Sequence, residues 1–302
     1  MKVLIAVDGS ACAFSAVDFV KGLGLTMSGE VTLLTVVPAG HEGSGSEIDR
    51  QVDELLQETS RRLAKKDVAI RCRTRRGHAG HEIVAECQQW GADLVVVGSH
   101  GHRALHRFLL GSVSEQVLRH APCSALIVRS QDAKSASREI RESRTCSATG
   151  PLRVLVGFDG SEPSQAGIEF VAQLAPDGGQ QVQIASVQVV ITYFRMDLLQ
   201  KQSPEWQRHK QELISGLEDA AARLSESAMS VSTGVHEGDD EGEELLELAD
   251  AFHADLIVVG ATGRSAVEQF LLGSVSDRVA HHAKSSVLVV RSGQSADGPP
   301  HE

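Results

Sequence analysis

The residues best suited to chemistry are glycines and serines at a repeated spacing. Gly98, Gly101, Gly111 and Ser112 form a Gly-x2-Gly-x9-Gly-Ser pattern, and Gly260, Gly263, Gly273 and Ser274 form it again. Each copy follows a short Val/Ile/Leu run and precedes a stretch with helical apolar spacing. Glycine lets backbone N–H groups approach an anion with no side chain between. A helix N-terminus favours phosphate through its free N–H groups and partial positive charge. Ser112 and Ser274 are the expected N-caps of those helices, with a hydroxyl as a further donor. Glycines also mark plain turns, but two copies in register, each between a buried strand and a helix, favour the phosphate reading.

Other chemistries are absent from the pattern. There is no Gly-x4-Gly-Lys-Ser/Thr, and Asp8-Gly9-Ser10 stands after the first strand where Gly-x-Gly-x-x-Gly would be, so neither a Walker-type NTPase nor a dinucleotide fingerprint is indicated. No catalytic constellation is visible. Asp8 could hold a magnesium ion or orient a water, but it lacks base and lysine partners, which favours a strand-end cap or a ligand contact. His100, His102 and His106 come with no cysteine or carboxylate set, so they read as phosphate donors or surface histidines and no protein-only metal site is expected. The acidic run Asp239-Asp240-Glu241-Gly242-Glu243-Glu244 reads as decoration of a helix N-terminus. Cys12, Cys72, Cys87, Cys123 and Cys146 contain no Cys-x-x-Cys pair and fit free thiols in a reducing compartment.

The elements that must position the loops recur as well. Val3–Ser10 matches Val154–Ser161 at an offset of 151, Ala92–Gly98 matches Ala254–Gly260 at 162, and Phe108–Ser114 recurs unchanged as Phe270–Ser276. The 11 extra residues belong in the middle of the second copy, between Val189 and Pro204, near Tyr193, Phe194, Met196 and Trp206, which would cover either an interface or the domain's own core. Buried strands are expected at 2–8, 30–37, 68–74, 93–98 and 124–129, and again at 152–158, 181–188, 230–236, 255–260 and 286–291, with amphipathic helices between them. Alternating strands and helices imply an α/β fold: two repeated, open, five-stranded parallel sheets of order 3-2-1-4-5 with helices on both faces. The domains would span 1–130 and 151–292, joined by a polar linker at 131–150 and followed by a disordered tail at 293–302.

Charge is uneven. Residues 1–150 carry 19 basic and 17 acidic side chains, a net of +2, and residues 151–302 carry 10 and 23, a net of −13. The overall −11 argues against nucleic-acid binding. No apolar run approaches the roughly 20 residues that span a bilayer, and the opening run ends early on Asp8, so no membrane partner and a cytoplasmic location are expected.

These motifs, with Val-Asp-Gly-Ser after strand one and Gly-Ala-Asp-Leu-Val-Val-Val-Gly into the loop, resemble a tandem universal stress protein of the ATP-binding subgroup, with its adenine nucleotide α-hydrolase-like fold. The resemblance covers the chain except linker and tail; the proline of Ala121-Pro122-Cys123 has no counterpart in Ala283-Lys284-Ser285. It implies that adenine is framed by Ala6 and Val36 in the first copy and by Gly157 and Val187 in the second, with Asp8 or Asp159 beside the adenosine. Ribose and phosphates would be held by Gly98, Ser99, His100, Gly101, His102, Arg103 and Ala104 with Gly111, Ser112, Val113 and Ser114. In the second copy these are Gly260, Ala261, Thr262, Gly263, Arg264, Ser265 and Ala266 with Gly273, Ser274, Val275 and Ser276. It further implies ATP, with or without Mg2+, as ligand, and pairing through the last strands, either between the two halves or in a homodimer. The expected role is regulatory, through an unknown protein partner. The alternatives are a slow ATPase or self-phosphorylating enzyme, a nucleotide-free scaffold, or a site for a flavin or another adenine-containing ligand. The first loop, with His100, His102, Arg103, His106 and Arg107 against Thr262, Arg264, Glu268 and Gln269, is expected to attract a triphosphate more strongly.

Overall fold

The computed structural model describes residues 1–25, 29–40, 47–64, 68–101, 110–129, 150–174, 176, 179–190, 203–263 and 272–292. The expectations for His102, Arg103, Ala104, His106, Arg107, Arg264, Ser265, Ala266, Glu268, Gln269, Tyr193, Phe194, Met196, Cys146, the linker up to Thr149 and the tail from 293 fall outside these residues.

The first half runs β1 (Lys2–Ala6), α1 (Ala11–Gly22), β2 (Glu30–Val37), α2 (Glu47–Leu63), β3 (Ala69–Arg76), α3 (Ala79–Trp90), β4 (Leu94–Gly98), α4 (Ser112–His120) and β5 (Ser124–Val128). The second runs β6 (Leu152–Gly157), α5 (Glu162–Ala172), β7 (Gln180–Val189), α6 (Pro204–Leu224), β8 (Ser230–Gly238), α7 (Glu241–Phe252), β9 (Leu256–Gly260), α8 (Ser274–His282) and β10 (Ser286–Val290). Side-chain caps start several helices: Ser10 accepts from Ala13 N at 3.2 Å, Ser203 from Trp206 N at 3.1 Å and Asp240 from Glu243 N at 2.9 Å. The acidic run therefore lies where expected, at the start of α7.

Each half has strand order 3-2-1-4-5, all parallel. The two sheets are continuous: β5 and β10 pair antiparallel, with Val287 opposite Ile127 and Val289 opposite Ala125, giving ten strands. The pleat divides the core. Val3 and Ile5 pack toward α1 and α2, and Leu4 toward α3 and α4, because successive strand side chains face opposite ways. Both apolar layers run across the β5–β10 seam, with Leu126 and Leu288 in one and Ile127 and Val287 in the other.

Two strands depart from the expected burial on both faces. β3 is mostly exposed, and β8 is partly so. The strand order puts them at the two edges of the sheet, and the Arg71, Arg73, Arg75 and Arg76 of β3 belong to an edge that water reaches.

Candidate functional site

The repeated loops leave the carboxyl ends of β4 and β9, where the neighbouring strands β1 and β6 begin the opposite winding. This is the switch-point crevice in which open α/β sheets bind ligands. The described parts of the two loops are built alike. Ser99 N donates to Val128 O at 2.8 Å and Gly111 N to Ser99 O at 2.9 Å; in the second half Ala261 N donates to Val290 O and Gly273 N to Ala261 O, both at 2.7 Å.

The motif glycines are required by contact. A Cβ on Gly98 would lie 2.9 Å from the Cys12 side chain and 3.0 Å from its carbonyl carbon, and one on Gly260 would lie 2.9 Å from Pro163. The first glycine thus lets the opening turn of α1 or α5 close onto the strand end. A Cβ on Gly101 would stand 2.8 Å from Asp8 Oδ2, and one on Gly263 3.0 Å from Asp159 Oδ2. Each aspartate is aimed by a turn at its own strand end, with Ser10 N donating to Asp8 Oδ1 at 2.9 Å and Ser161 N to Asp159 Oδ1 at 3.0 Å. Gly9 and Gly160 allow that turn, with φ of 81° and 78°.

The serines divide their roles differently from the expectation. Ser112 and Ser274 are not N-caps. Gly111 and Gly273 hold that position in extended conformation, and neither helix has a side-chain cap hydrogen bond. Ser112 and Ser274 are instead the first helical residues and are exposed. Ser114 and Ser276 are buried and tie the helix to the loop: Ser114 Oγ donates to Gly98 O at 2.7 Å, and Ser276 Oγ lies 2.9 Å from both Ala261 O and Gly273 O. A glycine N-cap leaves the helix N-terminus unblocked by its own side chain, which suits an incoming anion.

In the second half these parts enclose a cleft of about 220 Å³. Its walls bring together Gly157, Asp159, Val187, Gly260, Thr262, Gly263, Gly273, Ser274, Val275 and Ser276, all singled out in the sequence. Ala261 is buried in the loop stem. Phe158, Ser164, Ala185, Glu241, Leu245 and Val259 also line the cleft and were not expected. Periodicity marks Leu245 as a core residue, but no short-range signal carries Glu241 from its helix start to the cleft. In the first half Ala6 and Val36 are partly buried beside the same apolar layer as their counterpart Val187, and Val113 packs there too. Ser99 is buried and its hydroxyl lies 2.9 Å from His100 Nδ1, which orients that ring.

A doubly wound α/β domain present twice in one sheet, with a glycine-lined cleft at the carboxyl edge of the second copy, defines the class. The chain belongs to the universal stress protein family, whose profile matches residues 1–129 and 152–291. It is 32% identical over 201 residues to a universal stress protein of Mycolicibacterium smegmatis, a match spanning 66% of this chain and 62% of that protein. It is also 32% identical over 141 residues, 43% of this chain, to a Staphylococcus epidermidis protein carrying the same family name, of which 85% is covered. The crystal structure of a universal stress protein from Archaeoglobus fulgidus shares the fold, with a TM-score of 0.63 and 20% identity over 97% of this chain and 98% of that one. Among the described residues no helix is long and apolar enough to cross a membrane.

Proposed function

We propose that this chain binds adenine nucleotide at the crevice of each half and acts as a cytoplasmic regulator in a stress response, with ATP, alone or with Mg2+, as ligand of at least one half. The observation that carries the reading is the second-half cleft. Its lining combines Gly157, Ala185, Val187 and Leu245 with the motif glycines and Ser274 at the N-terminus of α8. A base fits the apolar part, and the helix start suits an anion. Asp8 and Asp159 each turn one carboxylate oxygen toward the loop glycine, a placement suited to a ribose hydroxyl or to a magnesium ion. Among the described residues no general base stands beside a nucleophile aimed at the helix start, and we read the bound nucleotide as a signal that changes a partner-facing surface.

The test uses Gly111→Asp and Gly273→Asp. Aspartate is at least as good an N-cap as glycine, so stability should change by no more than about 1 kcal/mol, even with Ser99 O or Ala261 O 3.3 Å from the new Cβ. The same carboxylate occupies the anion position. By calorimetric titration, each variant should lose the adenine-nucleotide site of its own half and the double variant both. Retained stoichiometry in the double variant, or no nucleotide released on denaturing freshly purified protein and none bound on titration, would sink the reading.

A further inference from the structure

The cleft of the second half carries an acidic side chain that the first half lacks. Ala79 and Glu241 are the first residues of α3 and α7, and each is followed by a glycine pressed against the next helix along the chain: Gly80 against Gln116 of α4, Gly242 against Arg278 of α8. Glu241 therefore stands where the first half has Ala79. It lines the cleft together with Asp159, and no Lys, Arg or His is among the described lining residues.

Arg278 is engaged by Asp240 at 3.2 Å. Although the outer side of Glu241 is exposed, lost hydration at the cleft, and then Asp159 and Asp240, hold its carboxyl above the usual carboxylate range. The loop sequences point the same way: residues 102–109 include Arg103 and Arg107 with no acid, whereas residues 264–271 include Arg264 and Glu268, a net of zero.

Resting on the reading of the crevices as adenine-nucleotide sites, we propose that Glu241 makes the second half selective for adenosine ligands that carry little or no phosphate charge, while the first half takes the polyphosphate. A carboxylate accepts hydrogen bonds from a ribose hydroxyl or an amino group without Coulomb cost. It repels every phosphate charge, and for an unshielded carboxylate several ångströms from a polyphosphate this is worth about a five- to tenfold change in affinity. Glu241 is thus a specificity residue.

The test is calorimetric titration of adenosine and of ATP, with and without Mg2+, into the full chain carrying Gly111→Asp to suppress the first site. Glu241→Gln and Glu241→Ala should each tighten ATP about five- to tenfold at low salt, shift adenosine less than about twofold, and lose most of the ATP gain near 0.5 M salt. The reciprocal variant, Ala79→Glu in a Gly273→Asp chain, should weaken ATP by a similar factor. Equal shifts for adenosine and ATP, or unchanged ATP affinity, overturn the proposal while leaving the nucleotide reading intact. Binding of neither ligand to any of these chains, with circular dichroism showing them folded, overturns both.

Discussion

Gly91 and His253 occupy matching places just past the ends of α3 and α7, and both are left-handed, at φ 65°, ψ 54° and φ 55°, ψ 48°. The geometry closes each helix, with Gly91 N–H and His253 N–H bonded back to the last turn. Glycine holds it without a Cβ clash; histidine does not, and a left-handed L-residue costs about 1–2 kcal/mol. His253 is the one non-glycine with positive φ among the described residues, and its side chain is exposed. Replacing it removes strain and little packing, while the added freedom of the unfolded glycine takes back part of the gain. His253→Gly should therefore stabilise the chain by about 0.5–1 kcal/mol, read as a higher midpoint in urea with an unchanged slope. An equal or lower midpoint would mean that the imidazole makes a compensating contact.

At the scale of elements, the edges of the sheet carry their own chemistry. β3 spends its arginines on the neighbouring elements: Arg71 pairs with Glu30 at 3.4 Å, Arg76 with Asp49 at 2.6 Å, and Arg73 and Arg75 converge on Glu86 of α3 at 3.4 and 2.6 Å. Glu86 is 1% exposed, yet both partners reach water. Such a row of charges discourages pairing with a foreign strand. Removing a buried partner usually costs about 3–5 kcal/mol, because the remaining charge is stranded. Here Arg75 keeps Glu82 at 3.2 Å, so Glu86→Ala should cost less, about 2–3 kcal/mol by urea denaturation. A loss below about 1 kcal/mol would show that α3 holds the edge through apolar packing alone. This element also shows what could be read from the sequence. The ten apolar runs, the α/β class and the loop motifs follow from local composition and repetition. The expected order 3-2-1-4-5 already puts strand three at an edge; burial on both faces, which holds for inner parallel strands, was carried over to β3 despite its arginines. The cap identities missed by one residue for a related reason: the turn of helix begins where Gly111 can extend, not where the first hydroxyl stands. Glu241 was legible only as a charge at a helix start, since its cleft neighbours lie on β6, β7 and β9.

For the whole molecule the decisive feature is the seam between the halves, which is built as a near two-fold. Arg129 N donates to Ser286 Oγ at 3.3 Å and Arg291 N to Ser124 Oγ at 3.2 Å. The Arg129 guanidinium donates to Ala280 O and His281 O in the last turn of α8, and that of Arg291 to Leu118 O in the last turn of α4. A cation at a helix C-terminus is favourable, although burial lowers the pKa of both guanidinia and so offsets part of the gain. Outside this pair, Arg119 reaches Asp277 at 2.8 Å and His281 reaches Glu115 at 2.7 Å. Glu115, Asp277 and His281 come within 4.8 Å of one another as a metal set would, but Arg119 already pairs with both acids. With β5 and β10 buried at every position, neither half can present this edge to a partner without first leaving the other. A chain cut at a protease site engineered into residues 131–149 should therefore still elute at the volume of the uncut chain. Arg129→Ala with Arg291→Ala should weaken the association of the cut halves by about 3 kcal/mol, roughly a hundredfold in dissociation constant, so that the fragments separate on dilution. If the cut parent halves part at micromolar concentration, or each pairs with its own kind, the seam is no stronger than an ordinary contact and the two crevices are not held in one rigid sheet.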